Sequence, residues 1–273
     1  MLRQAGIRPA KRLGQNFLVD RGVVESIALV LAEQSPGLVV EIGPGLGAVT
    51  EALVGLADRV VAVELDRRLA ALLDRSLGEH KNLSIEIGDA LRFDFAKAAE
   101  GCPVYVFGSL PYRSTAPILK YLIEQRASIR GALLITQREV AEKLAASPGR
   151  DGTALGVLVR AYADIGFVRN ISCGSFEPSP EVESTLWTLR FLDEPRFSCD
   201  AEAFFATART LYGMRRKMVR VALQQIVAKD TVDEVLARAG VPGDVRGETL
   251  GFEELDRLAA AVARAGGPMG EAR

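Results

Sequence analysis

From residue 38 onward, short apolar runs alternate with segments whose apolar positions recur every three or four residues. The runs at 38–42, 60–65, 83–87, 104–107 and 132–136 predict strands, and the segments at 49–56, 67–77, 116–126 and 139–146 predict helices. An amphipathic helix at 23–33 precedes them and ends at Ser35-Pro36-Gly37. Strands that are apolar throughout and alternate with helices form a parallel sheet covered on both faces. The pattern then changes. Strands at 167–173 and 185–191 have no long helix between them and read as a terminal hairpin closing the sheet. Beyond Asp193-Glu194-Pro195 the periodicity is helical, at 201–212, 215–226, 232–239 and 252–265, with Thr231 and Glu234 spaced as a capping box. The expected organisation is an α/β domain over 1–194 and a small all-α domain over 195–273.

Composition narrows the setting. At 273 residues and 48% hydrophobic the chain can bury a substantial core, and its net charge of -1 offers no general attraction to nucleic acid. Cys102, Cys173 and Cys199 are far apart and lack metal-ligand spacing, which suits free thiols in a reducing cytosol and no metal. The single histidine, His80, sits in a polar stretch and reads as a surface residue. No charged-then-apolar leader opens the chain and no apolar run approaches membrane length, so a soluble cytoplasmic protein is expected.

Ligands of such sheets bind at the carboxyl ends of the strands, and the chemistry-bearing residues cluster there. The first strand runs into Glu41-Ile42-Gly43-Pro44-Gly45-Leu46-Gly47-Ala48, a tight glycine turn that lets a ligand approach bare backbone. Gly43, Gly45 and Ala48 also fit a dinucleotide fingerprint. Glu64, ending the second strand, suits ribose hydroxyls. Asp89, after the third, suits the exocyclic amine of an adenine, or alternatively caps a turn. A dehydrogenase would need a proton donor, yet His80 is poorly placed and no tyrosine has a lysine four residues on. The other reading is S-adenosyl-L-methionine, with its methionine end on the glycine loop. The fourth strand end favours it. Ser109-Leu110-Pro111-Tyr112 resembles the motif of methyltransferases that act on amines. An adenine N6 lone pair is conjugated into the ring. Accepting hydrogen bonds from its N–H groups favours the pyramidal, nucleophilic form. Pro111 stiffens the loop, and Tyr112 offers a face for an extruded base.

With these residues placed, nearly the whole chain resembles the small-subunit ribosomal RNA adenine N6,N6-dimethyltransferases of the KsgA type. Four stretches carry the resemblance: Lys11-Arg12-Leu13-Gly14-Gln15-Asn16-Phe17-Leu18, the glycine loop, Phe107-Gly108-Ser109-Leu110-Pro111-Tyr112, and Phe176-Glu177-Pro178-Ser179-Pro180-Glu181-Val182-Glu183-Ser184. Arg215-Arg216-Lys217 and Arg246-Gly247-Glu248-Thr249-Leu250 match that family's helical domain. The resemblance implies a Rossmann-like methyltransferase sheet. It implies cofactor contacts from Asn16, Leu18, Gly43, Gly45, Glu64, Asp89 and Ser109, and a target amine held by Ser109 and Leu110. Tyr112 and Phe176 would sandwich the adenine. The implied substrate is a pair of adjacent adenosines near the 3′ end of small-subunit rRNA in the assembling 30S subunit, modified by a monomer. The family usually has asparagine where this chain has Ser109. Serine occurs there in the broader amine-methyltransferase motif, so activity is expected to be retained.

Local basic clusters supply the expected RNA contacts. Arg215, Arg216, Lys217 and Arg220 follow Arg209 with no intervening acid, and Lys11 and Arg12 form a second cluster. Such a run also fits the solvated face of a helix. Two further functional readings stay open: a large-subunit adenine methyltransferase of the macrolide-resistance type, and a non-catalytic assembly factor that uses the same fold to bind RNA.

Overall fold

The computed structural model describes residues 15–146 and 152–266. In chain order the elements up to the last strand are β1 (Phe17–Leu18), α1 (Arg21–Ala32), β2 (Leu38–Ile42), α2 (Thr50–Leu53), β3 (Arg59–Glu64), α3 (Arg67–Leu77), β4 (Leu83–Ile87), α4 (Phe95–Ala99), β5 (Val104–Ser109), α5 (Tyr112–Glu124), β6 (Ile129–Gln137), α6 (Arg138–Ala145), α7 (Ala154–Tyr162), β7 (Ala163–Ile171), β8 (Phe176–Glu177) and β9 (Ser184–Phe191). Helices α8 (Ala201–Gly213), α9 (Val219–Leu223), α10 (Val232–Ala239) and α11 (Phe252–Arg264) follow.

The chain forms two compact units. The first carries a seven-stranded sheet in the order β4-β3-β2-β5-β6-β9-β7. Pairs β2·β3, β2·β5, β3·β4 and β5·β6 are parallel, and β6·β9 is antiparallel. The crossing from β4 back to β5, on the far side of β2, makes a switch point at the carboxyl ends of β2 and β5, where open α/β sheets bind ligands. Apolar residues of β2, β5, β6 and β9 meet α1 in a core that includes Ile27, Leu31, Val39, Phe107, Ile135 and Leu186. Antiparallel β1 and β8 form a separate ribbon, which pairs Leu18 with Phe176 and Phe17 with Glu177.

The second unit joins Glu142–Ala163 to the chain from Leu192 onward, so the division is not a single break after residue 194. Helix α7 was not predicted. Its Val157 and Ala161 are buried with Phe204, Leu211, Leu236 and Leu258 of the later helices, so this stretch belongs to the helical core. The expected helix at 215–226 is also broken. Residues 214–217 form a turn, Met218 is extended and bridges to Arg246, and a helix resumes only at Val219. The expected helix at 49–56 is shortened to α2. Thr231 has helical rather than extended backbone, and its hydroxyl donates to the Ala228 carbonyl (2.8 Å), so it forms no capping box with Glu234. Among the described residues, no helix is long and apolar enough to cross a membrane.

Candidate active site

Strand β2 is buried along its whole length and delivers the glycine loop to the sheet's carboxyl edge. Gly43 adopts φ +71° and Gly47 φ +85°, a region that L side chains rarely enter. The two differ in what surrounds them. A Cβ on Gly43 would meet nothing within 4 Å, so open space lies against that backbone. A Cβ on Gly47 would lie 2.5 Å from Leu73 Cδ1, so the loop's far side is pressed onto α3. A Cβ on Gly45 would lie 2.9 Å from Phe17 Cδ1, so β1 is set close against the same loop.

Two acids stand beneath and beside this loop. Glu41 is 1% exposed, and its Oε2 accepts the Thr50 hydroxyl proton at 2.6 Å. Burial lifts its pKa to about 7; the Thr50 hydrogen bond opposes the rise and the Glu64 charge adds to it. Glu64 ends β3 and is also buried. Its Oε2 accepts from the Gly45 N–H (3.2 Å) and its Oε1 from the Asp66 N–H (2.8 Å). Burial pushes this carboxyl up as well, against those backbone donors. Asp66 caps α3, and the Arg68 side chain holds its carboxyl down at about 2. Asp89 follows β4 and is exposed. Its Oδ1 caps the next turn by accepting from the Leu91 N–H at 3.0 Å, which leaves Oδ2 as a second acceptor. The capping and ligand readings of this residue are therefore compatible.

Strand β5 ends at Ser109, which is registered with Ile135 of β6. The Leu110 N–H donates to the Ile135 carbonyl at 2.9 Å, and Pro111, with φ -62°, starts α5. This turn fixes the backbone on both sides of Leu110. Tyr112 is the first residue of α5 and is 68% exposed, whereas Phe176 is 4% exposed. One aromatic ring stands free at the rim and the other is set in the wall. A cavity of about 430 Å³ joins these parts: Asn16, Gly43, Gly45, Glu64, Asp89, Ser109, Leu110, Pro111, Tyr112 and Phe176 all line it. That volume is ordinary for a small-molecule site. Leu18 does not line it; Phe17 does, and Leu18 is instead the ladder partner of Phe176. Gln15, Leu65, Ser114, Gln137 and Ser184 also line the cavity. Gln15 and Ser184 fall within stretches that carry the family resemblance, whereas Leu65, Ser114 and Gln137 carry no motif, and only strand register could have pointed to Gln137. No group of residues able to hold a metal occurs among the described residues.

The basic run behaves unevenly. Arg215 Nε donates to Glu248 Oε2 at 2.8 Å, and that carboxylate side chain is only 7% exposed. Arg220 is paired with Asp233. Arg209, Arg216 and Lys217 are exposed. Lys11 and Arg12 lie outside the described residues.

The model of the ribosomal RNA adenine dimethylase family matches residues 7–260. The chain belongs to that family. Among curated relatives, the ribosomal RNA small subunit methyltransferase A of Moorella thermoacetica is 40% identical over 267 residues, covering 93% of this chain and 92% of its own. The protein of the same name from Hahella chejuensis is 35% identical over 257 residues, covering 93% of both chains. Of solved structures, the 23S rRNA methyltransferase ErmE superposes with a TM-score of 0.69 at 27% identity, over 91% of this chain and 100% of its own. A dimethyladenosine transferase from Plasmodium falciparum reaches 0.78 at 22% identity, over 92% and 98%, and shares the fold. Family membership covers both units of the chain, since the matched span runs from ahead of β1 into α11.

Proposed function

We propose that this chain is an S-adenosylmethionine-dependent rRNA adenine dimethyltransferase. It methylates N6 of two adjacent adenosines near the 3′ end of small-subunit rRNA, acting as a cytoplasmic monomer on the assembling subunit. The observation that carries the reading is the meeting of the glycine loop, Glu64 and Asp89 with Ser109–Tyr112 and Phe176 in one cavity. Relatives matching over 93% of the chain bear the small-subunit name.

The donor fits the residues present. Open space against Gly43 admits its methionine end, which a Cβ there would obstruct. The buried Glu64 carboxylate has acceptor capacity left for ribose hydroxyls, and Asp89 Oδ2 accepts from an adenine amine. When bound, the cofactor supplies an electrophilic methyl on a sulfonium. The chain does the rest by placement. Ser109 Oγ and the Leu110 carbonyl accept from the N6–H groups and turn the nitrogen lone pair outward. Tyr112 and Phe176 hold the ring flat. The proton displaced from N6 leaves along the Ser109 and Leu110 acceptors to solvent. Catalysis of this kind rests on orientation.

Mass spectrometry of unmodified small-subunit rRNA after incubation with protein and cofactor tests the reading. Dimethyladenosine near the 3′ end is expected. Cofactor binding by calorimetry without any methylated adenosine would favour a non-catalytic assembly factor. Activity confined to a Ser109→Asn variant would show that serine does not suffice. Macrolide resistance on expression, rather than restored kasugamycin sensitivity in a strain lacking the dimethyltransferase, would favour the large-subunit reading.

A further inference from the structure

We propose that Gln137 is a base-recognition residue: its carboxamide donates a hydrogen bond to the adenine ring nitrogen beside the amine held by Ser109 and Leu110. This inference rests on the functional reading above.

Strand β6 runs past the end of β5. Ser109 is registered with Ile135, and Gln137 lies two residues further on, about 7 Å along the strand and on the same face of the sheet. On the other side, antiparallel β9 sets Ser184 opposite Gln137 and Leu186 opposite Ile135. Ile135, Leu186 and Phe107 share one core with Phe176. Ser109, Gln137, Ser184 and Phe176 therefore stand on one face at the sheet's carboxyl end, and all four line the cavity.

Gln137 is half-buried, and its carboxamide has no hydrogen-bond partner among the described residues; only its backbone carbonyl is used, by the Thr136 hydroxyl at 3.3 Å. Several other polar groups of the cavity are engaged. Glu64 accepts from two backbone N–H groups, Asp89 from one, and Thr136 Oγ1 from Trp187 Nε1 at 3.0 Å. An extruded adenine presents two kinds of group near its reacting nitrogen. The N6–H groups need acceptors, which Ser109 and Leu110 provide. The ring nitrogens on either side, N1 and N7, need a donor. Carboxylates cannot donate, whereas a carboxamide NH₂ can, and carboxamides pair well with adenine edges. A serine at position 109 gives a shorter reach than an amide, so a second fixed contact on the base matters more in this chain.

The test is single-turnover methylation of small subunits whose target adenosine is natural, 1-deaza or 7-deaza, by the unaltered chain and by Gln137→Leu and Gln137→Glu. Both variants should methylate the natural substrate about tenfold more slowly, the cost of one lost hydrogen bond to a base, with cofactor affinity by calorimetry unchanged. One deaza substrate should slow the unaltered chain by a similar factor and cause no further loss in Gln137→Leu. A merely structural role would give losses that multiply. Full activity of Gln137→Leu, or multiplying losses with both analogues, overturns the inference alone. No methyl transfer by the unaltered chain overturns the functional reading and the inference together.

Discussion

Glu41 offers a stability test of the cofactor loop that needs no substrate. Its carboxyl is sealed under the loop, with the Thr50 hydroxyl as hydrogen-bond partner and the charge of Glu64 nearby. It ordinarily titrates at 4.5 and here at about 7. The folded state therefore holds a proton that the unfolded state has released between those two values. Below pH 4.5 both states are protonated and Glu41 has no net effect. Stability falls as pH rises from 4.5 to 7 and levels above 7, where the folded state carries a buried carboxylate. At about 1.4 kcal/mol per pH unit, the loss comes to about 3 kcal/mol. Glu41→Gln keeps the shape and a carbonyl acceptor for Thr50 but cannot ionise. Urea unfolding of the cofactor-free protein at pH 5, 6, 7 and 8 should show the variant gaining on the parent as pH rises, by up to about 3 kcal/mol at pH 8. Glu64 is raised chiefly by its own burial, which both proteins share, so its contribution largely cancels in the difference. Parallel stability curves from pH 5 to 8 would refute the assignment of a raised pKa to Glu41.

Other outcomes follow from the same geometry. Gly47→Ala should destabilise the fold by about 2–3 kcal/mol, combining left-handed strain with the clash on Leu73, as read by denaturant midpoint. Gly43→Ala should cost only the strain, about 1–2 kcal/mol, yet weaken cofactor binding in calorimetry far more than Gly47→Ala does, because its Cβ enters open space. Charge reversal at Arg216 and Lys217 should weaken binding to the small subunit and lower the slope of log affinity against log salt by about 2, with cofactor affinity held. Arg215→Glu is a poor version of that test, since it sets an acid against the nearly buried Glu248 and should lower the thermal midpoint. Asp66→Asn should flatten the acid limb of stability: a carboxyl held at about 2 stabilises the fold above its ordinary value of 3.8 and loses that contribution as pH falls towards 2.

The sheet was legible because its inner parallel strands are buried on both faces and so read as apolar runs, as β5 does and as β2 does but for Glu41. The cofactor half of the cavity was legible too, because a glycine turn and single acids at strand ends leave local signatures. Three features left none. Helix α7 lies between sheet strands in sequence but buries its apolar side among helices 40 or more residues away, and no periodicity states which core a helix joins. The break in the 215–226 segment depends on the Met218–Arg246 bridge, a partner distant in the chain. Glu41 looks like any acid at a strand end; its burial, and hence its raised pKa, is set by the strands on either side and outweighs the opposing Thr50 hydrogen bond.

The β1–β8 ribbon explains why the cavity depends on two stretches about 160 residues apart. Its register sets Leu18 opposite Phe176, so the segment that carries Asn16 is positioned by the same ladder that sets the aromatic wall. Asp20 locks the arrangement. Its Oδ1 caps α1 by accepting from the Gly22 N–H at 2.9 Å, and its Oδ2 accepts the Ser175 hydroxyl proton at 2.8 Å, while the Val19 N–H donates to the Ser175 carbonyl at 2.9 Å. On the other side Phe17 is set close against Gly45 of the cofactor loop. The wall that would hold the base and the loop that would hold the methyl donor are thus tied through one short ribbon rather than set independently by the sheet. In a reaction governed by orientation, a tie of this kind fixes the separation of the two reactants, because a shift of Phe176 must carry Leu18, Phe17 and the loop with it.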